Sequence, residues 1–211
     1  CMRSIPLGTI IKGMEDCGST IRELAPHGFE CFSLMFWETL SSVDLEFLKD
    51  SILAACEDTG TFVSTLSIYG NPLREDEVGQ VVLRGWRSLI ELAPSCNVSI
   101  VSGFAGRVPG KSIPESIDPW KRVFDPLVEL SESSGVRLAF ENCRLGDTWK
   151  TGKWNIAINP DAWELMFKAI PANSIGLEWE PCHQLEALAD PMIQIKQWGH
   201  RFFHIHGKDA R

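Results

Sequence analysis

The chain has 211 residues, 44% of them hydrophobic, and a net charge of −8, with a pI near 5.2. That length and apolar content suffice for one full core, and about 200–250 residues is the natural size of an α/β barrel. The acidic balance argues against nucleic acid, which asks for a basic stripe, and against an anionic membrane surface.

The seven cysteines, Cys1, Cys17, Cys31, Cys56, Cys96, Cys143 and Cys182, are odd in number, scattered, and form no C-x-x-C pair. Buried free thiols in a reducing cytoplasm are the expectation. No apolar run reaches the ~18–20 residues that span a bilayer, and the N-terminus is not signal-like. The chain begins at Cys1 and stops at Arg211 straight after a strand-like run, so both ends read as cut.

Strand-like and helix-like segments alternate along the chain. Residues 5–12 (IPLGTIIK) predict a first strand, with a short helix from Ser19 to Pro26, and 29–36 (FECFSLMF) a second strand. Val43 to Asp58 has helical spacing, with Leu45, Leu48, Ile52 and Leu53 on one side. Asp44 and Glu46 suit its positive N-terminus. A β-branched run at 61–70 predicts the third strand, and Glu75 to Ala93 a long helix with Val82, Trp86, Leu89 and Leu92 on its apolar face. The fourth strand is expected at 98–106, followed by a Gly/Pro/Ser-rich loop to Pro119 and a helix to about Ser134. VRLAFEN (136–142) is the fifth strand, with a long loop from Cys143 to Pro160 and a helix from Asp161 to Ile170. IGLEWE (175–180) is the sixth; Leu185 to Trp198 is helical but interrupted near Pro191; FFHIH (202–206) is the seventh.

Strict alternation implies parallel strands with right-handed crossovers. No G-x-G-x-x-G follows the first strand, so a dinucleotide-binding fold is disfavoured. The expected architecture is a single (β/α)8 TIM-barrel-type α/β domain over 1–211, truncated after the seventh strand with the eighth βα unit missing. Its site would lie at the C-terminal ends of the strands. Seven strands would leave two open parallel edges, so poor stability or association is expected.

The last three strands each end in a metal-ligand residue type: Glu141, Glu180 and His206. Period-two alternation turns Val136, Leu138 and Phe140 toward the helices and Glu141 inward. By the same rule Ile175, Leu177 and Trp179 face the helices and Glu180 faces in, with Glu178 one layer deeper. Phe203 and Ile205 face out, and His206 faces in, with His204 below it. Neighbouring strands are about 4.8 Å apart, so three such ends fall within roughly 10 Å of one another. Two carboxylates and an imidazole suit Mn²⁺, Mg²⁺, Co²⁺ or Zn²⁺ and lack the thiolates of a structural zinc site. A buried Glu without a partner costs several kcal/mol, and a cation would neutralise that cost.

Phe-Glu-Asn at 140–142, Glu-Pro-Cys-His at 180–183, His-Ile-His-Gly-Lys-Asp at 204–209 and Tyr-Gly-Asn-Pro-Leu at 69–73 resemble the sugar phosphate isomerase/epimerase family. That is the xylose isomerase-like TIM barrel of the AP endonuclease family 2 superfamily, which also contains endonuclease IV. The resemblance covers essentially the whole chain. It implies a divalent metal held by Glu141, Glu180 and His206, with a fourth ligand, a Glu after strand eight, beyond Arg211. Family members usually carry Asp where this chain has Glu180.

The implied activity is isomerisation or epimerisation of a sugar or sugar phosphate. Glu141 would be the catalytic base, abstracting a proton beside a carbonyl to give a metal-bound enediolate. His183 matches a position that touches substrate in the epimerases and metal in the endonucleases. Lys208 would steady negative charge. Phe104, Trp149 and Trp154 would form an apolar wall against the sugar, and Asp147 would bond a hydroxyl. The implied partner is a small-molecule sugar, with no nucleic acid and no membrane; homo-oligomer formation is left open. Two alternatives stand beside this reading. One is a degenerate barrel that binds sugar without turnover. The other is an endonuclease IV-like nuclease, disfavoured because the strand-three and strand-four ends, Ile68-Tyr69-Gly70 and Gly103-Phe104-Ala105, supply no His.

Overall fold

A computed structural model describes residues 5–208; Cys1 and Asp209 lie outside them. Seven strands form one parallel sheet in simple chain order. They are β1 (Gly8–Lys12), β2 (Cys31–Trp37), β3 (Phe62–Tyr69), β4 (Ile100–Gly103), β5 (Arg137–Glu141), β6 (Ile175–Trp179) and β7 (Phe202–Ile205). The helices are α1 (Cys17–Leu24), α2 (Leu45–Thr59), α3 (Glu77–Leu92), α4 (Ile113–Ser133), α5 (Pro160–Ala169), α6 (Cys182–Glu186) and α7 (Pro191–Trp198). The result is the α/β TIM-barrel type, curled but open: among the described residues β1 pairs only with β2, and β7 only with β6. No helix among them is long and apolar enough to cross a membrane. Cys17, Cys31, Cys96 and Cys182 are buried free thiols, and Cys56 and Cys143 are half-buried ones.

Helix starts follow side-chain chemistry. Asp44 accepts from the Glu46 and Phe47 amides, Asp76 from Gly79, Asn159 from Ala162 and Asp190 from Met192, each satisfying donors that a helix start leaves without partners. The expected loop from Gly106 to Pro119 is shorter than its composition suggests. Ser112 and Glu115 form a capping box, and α4 begins at Ile113, with Pro119 and Pro126 inside it. The Ser-x-x-Glu pairing outweighs the prolines there. The segment from Leu185 to Trp198 is two helices: α6 begins earlier, at Cys182, and α7 restarts at Pro191 behind its Asp190 cap.

The main core lies between sheet and helices. Trp86, Trp120, Phe124 and Phe140 are fully buried there, and the Phe124 and Phe140 rings meet edge-to-face at 5.0 Å. Gly103 ends β4 because a Cβ there would stand 1.9 Å from the Ile68 carbonyl oxygen and 2.9 Å from the Trp86 ring.

The inner face of the sheet is polar rather than aliphatic. Ser33, Thr65, Ser67 and Ser102 form a hydroxyl ladder across β2, β3 and β4. It ends at Glu178 on β6, whose Oε1 accepts from Ser102 at 2.9 Å. In β7 the expected alternation breaks. Leu177 pairs with Phe202 and Glu178 with His204, so Phe203 is skipped by a bulge. Its ring therefore turns inward, against Gly176 and under the Arg137 guanidinium at 4.4 Å, instead of facing the helices. Phe202 takes the outer position, stacked on Trp179 at 4.8 Å.

Candidate metal centre

Glu141 is the last residue of β5, Glu180 follows β6, and His206 follows β7. All three are buried, and they bring one ligand atom each within 4.8 Å of one another. The β5 and β6 ends are clamped together. Asn142 Nδ2 donates to the Glu180 carbonyl at 3.0 Å, and the Glu180 amide donates to Asn142 Oδ1 at 2.7 Å. Asn155 ties the Glu141 carbonyl to the following loop at 2.7 Å. The two backbones that carry the carboxylates are thus fixed by side-chain amides.

The electrostatics follow from burial. Desolvation lifts the Glu141 carboxyl to about 7, partly countered by His206. Burial opposes the charge on His206, but Glu178 and Glu141 outweigh it and raise the imidazole to about 10. Burial likewise opposes charge on Glu180, yet His183 and Lys208 hold it down at about 2. Glu178, fully buried, is held low by His206 and His204. Tyr69 Oη donates to Glu178 Oε2 at 2.6 Å, and burial beside that carboxylate raises its phenol well above the ordinary range.

Three buried imidazole nitrogens, His183 Nε2, His204 Nδ1 and His206 Nε2, have no hydrogen-bond partner among the described residues. Yet they lie 2.7 Å from Glu180, 3.1 Å from Glu178 and 3.3 Å from Glu178 respectively. These nitrogens face carboxylate oxygens at ion-pair spacing, and Glu141, Glu180 and His206 are ligand types that could hold a cation. This donor set, with two carboxylates facing His206, fits a divalent metal ion.

The other expected site residues divide into three groups. His183 and Lys208 reach the cluster: His183 Nε2 is 2.7 Å and Lys208 Nζ is 3.3 Å from the Glu180 carboxylate. Phe104 and Trp154 belong to an aromatic group that also contains Trp37 and Tyr69, with centroids 5.0–6.4 Å apart. Phe104 is buried beneath Tyr69 and Trp37, so it forms the floor of that group. Trp37, half exposed at the end of β2, escaped the sequence reading because it closes an apolar run and resembles core.

Trp149 and Asp147 fall elsewhere. Trp149 lines a separate cavity with Arg144, Ile158 and Gln184. The Asp147 carboxylate accepts from the Lys153, Trp154 and Asn155 amides at 2.8–2.9 Å, which ties it to its own loop. Gly152 permits this, since a Cβ there would meet that carboxylate at 2.3 Å.

The family model for xylose isomerase-like TIM barrels matches residues 21–211. The chain belongs to this family. A curated relative, the uncharacterized protein YfiH of Bacillus subtilis (strain 168), is 27% identical over 180 residues, covering 74% of this chain and 54% of YfiH. The chain therefore spans about half the length of that relative. Among solved structures, the 3-keto-D-glucoside 4-epimerase YcjR from E. coli superposes with a TM-score of 0.78 at 13% identity, covering 98% of this chain and 80% of YcjR. An L-ribulose 3-epimerase superposes at 0.73 with 16% identity, covering 96% of this chain and 69% of the enzyme. At such identities these two show the shared fold.

Proposed function

We propose that this chain carries the site of a divalent-metal-dependent isomerase or epimerase acting on a small sugar or sugar phosphate. The observation that carries the reading is Glu141. It is a buried carboxyl at the end of β5, and it meets Glu180 and His206 in a set of ligand types that could hold a cation. The sugar epimerases that share the fold support the choice of substrate class.

A divalent cation bound by Glu141, Glu180 and His206 would polarise the sugar carbonyl as a Lewis acid. Glu141 takes the proton from the neighbouring carbon, leaving an enediolate. Redelivery by Glu141 to the adjacent carbon gives the isomer; epimerisation needs a second acid on the opposite face. Lys208 and protonated His183, both beside Glu180, supply positive charge as oxygen charge builds. Trp37 and Trp154, backed by Tyr69 and Phe104, shield one side of the sugar from water.

The test is exchange of the substrate α-proton with solvent deuterium, across ketoses and aldoses with Mn²⁺ supplied. The expected outcome is metal-dependent exchange that falls by about 10²–10⁴ in Glu141→Gln. Saturable sugar binding without exchange would replace this reading with a non-catalytic sugar-binding barrel.

A further inference from the structure

Beneath the outer cluster lies a second set of metal-ligand residues, Glu178, His204 and His206. Two unpartnered imidazole nitrogens, His204 Nδ1 and His206 Nε2, converge on one oxygen, Glu178 Oε1, at 3.1 and 3.3 Å. Ligand atoms each about 2.0–2.1 Å from a tetrahedral ion stand about 3.3 Å from one another; the two nitrogen–oxygen spacings are of that size, and all three atoms lie within 4.8 Å of one another. The outer ring nitrogens are also held. Ser64 Oγ lies 3.2 Å from His204 Nε2, and Glu141 Oε1 lies 3.3 Å from His206 Nδ1. Tyr69 and Ser102 fix the Glu178 carboxylate. Ligating histidines characteristically lean on such partners. A cleft of about 320 Å³ between β1 and β7, lined in part by Ser33, Ser64, His204 and His206, gives access.

The geometry points to an inner cation site, made of Glu178 Oε1, His204 Nδ1 and His206 Nε2, that takes a zinc-class ion. Two imidazoles and one carboxylate with a fourth position open are a donor set of catalytic zinc. The inner set shares His206 with the outer one. It is richer in nitrogen, so it selects zinc or cobalt, whereas the outer carboxylates favour manganese or magnesium.

Cobalt(II) titration of the metal-stripped 211-residue chain tests this, read by the visible absorption of four-coordinate cobalt. The expected result is a tetrahedral band that survives Glu180→Gln and disappears in His204→Gln, with cobalt affinity down by more than about 100-fold. Ser64→Ala, which removes the hydroxyl orienting His204 together with its bond to the Phe32 carbonyl, should weaken cobalt by roughly 10-fold. No tetrahedral band in the wild type, a band that persists in folded His204→Gln, or one lost on Glu180→Gln would overturn the inner site. If His204→Gln does not fold, an unchanged affinity in Ser64→Ala would overturn it instead. Manganese binding, followed in parallel by electron paramagnetic resonance, reports the outer set. Its absence alongside a His204-dependent cobalt band would count against the proposed sugar chemistry while leaving the inner site standing.

Discussion

His206 Nδ1 lies 3.3 Å from Glu141 Oε1, and both side chains are buried at the ends of non-adjacent strands. The imidazole is the nearest positive group to a carboxylate that desolvation would otherwise keep neutral. It is not enough to restore the ordinary value: Glu141 remains at about 7. The site thus holds a base that stores free energy in the metal-free chain.

That storage is measurable. A carboxyl raised from 4.5 to about 7 binds its proton more tightly in the folded state. Its contribution to stability is fully present below pH 4.5 and lost as pH rises through 7. Removing that proton costs about 3 kcal/mol more in the folded chain than in the unfolded one. Glu141→Gln should therefore stabilise the metal-free chain at pH 8 by up to about 3 kcal/mol, roughly 6–12 °C in Tm. The gain should vanish below pH 4.5. Thermal melts of both proteins across pH 4–8 check this, and a destabilised variant at pH 8 would contradict it.

Asp147 should behave as a structural residue. Arg107 is fully buried; its guanidinium donates to the Lys111, Thr148 and Trp149 carbonyls and sits 3.8 Å from Asp147. Removing one partner of a buried pair leaves an uncompensated charge, at about 3–5 kcal/mol. Asp147→Ala should lower Tm by roughly 6–20 °C while leaving KM for any sugar substrate unchanged below the transition. A raised KM in the folded variant would return Asp147 to the substrate.

The sequence made the strand order and the meeting of Glu141, Glu180 and His206 at the strand ends legible because parallel units repeat and period-two register transfers from strand to strand. It was less informative where register breaks or where a side chain serves the backbone. The bulge at β7 turned Phe203 inward, which alternation cannot anticipate. Asp147 and Trp149 sit in a polar loop where composition cannot tell a ligand contact from a backbone staple. The Ser112–Glu115 box was readable, but the surrounding prolines masked it. Asn142 stood in the Phe-Glu-Asn motif, yet its task of clamping Glu180 requires the adjacent strand end to be seen.

Trp37 should contribute to sugar binding. Its ring meets Trp154 at 6.0 Å and Phe104 at 6.4 Å and remains half exposed, so truncation leaves little cavity. Trp37→Ala should change Tm by no more than about 2–4 °C. Losing its apolar contact should raise KM by roughly five- to thirty-fold, equivalent to about 1–2 kcal/mol. Quenching of tryptophan fluorescence by substrate, diminished in the variant, gives a second readout. An unchanged KM would place the sugar elsewhere in the mouth.

Metal binding should be visible as stability, because an ion that binds only the folded chain stabilises it by mass action. At 100 times Kd the gain is about 2.7 kcal/mol, roughly 5–11 °C in Tm. Mn²⁺ should produce such a shift in the wild type. Glu180→Gln should abolish most of it, since the neutral amide replaces a carboxylate that His183 and Lys208 hold ionised down to about 2. Lys208→Met should act in the opposite sense. The ammonium 3.3 Å from Glu180 Oε1 competes with the cation for that oxygen, and a like charge within several ångströms near the surface is worth on the order of 1 kcal/mol. The variant should bind Mn²⁺ about five- to tenfold more tightly. Equal manganese shifts in the wild type and Glu180→Gln would remove Glu180 from the ligand set, whatever the behaviour of Lys208→Met.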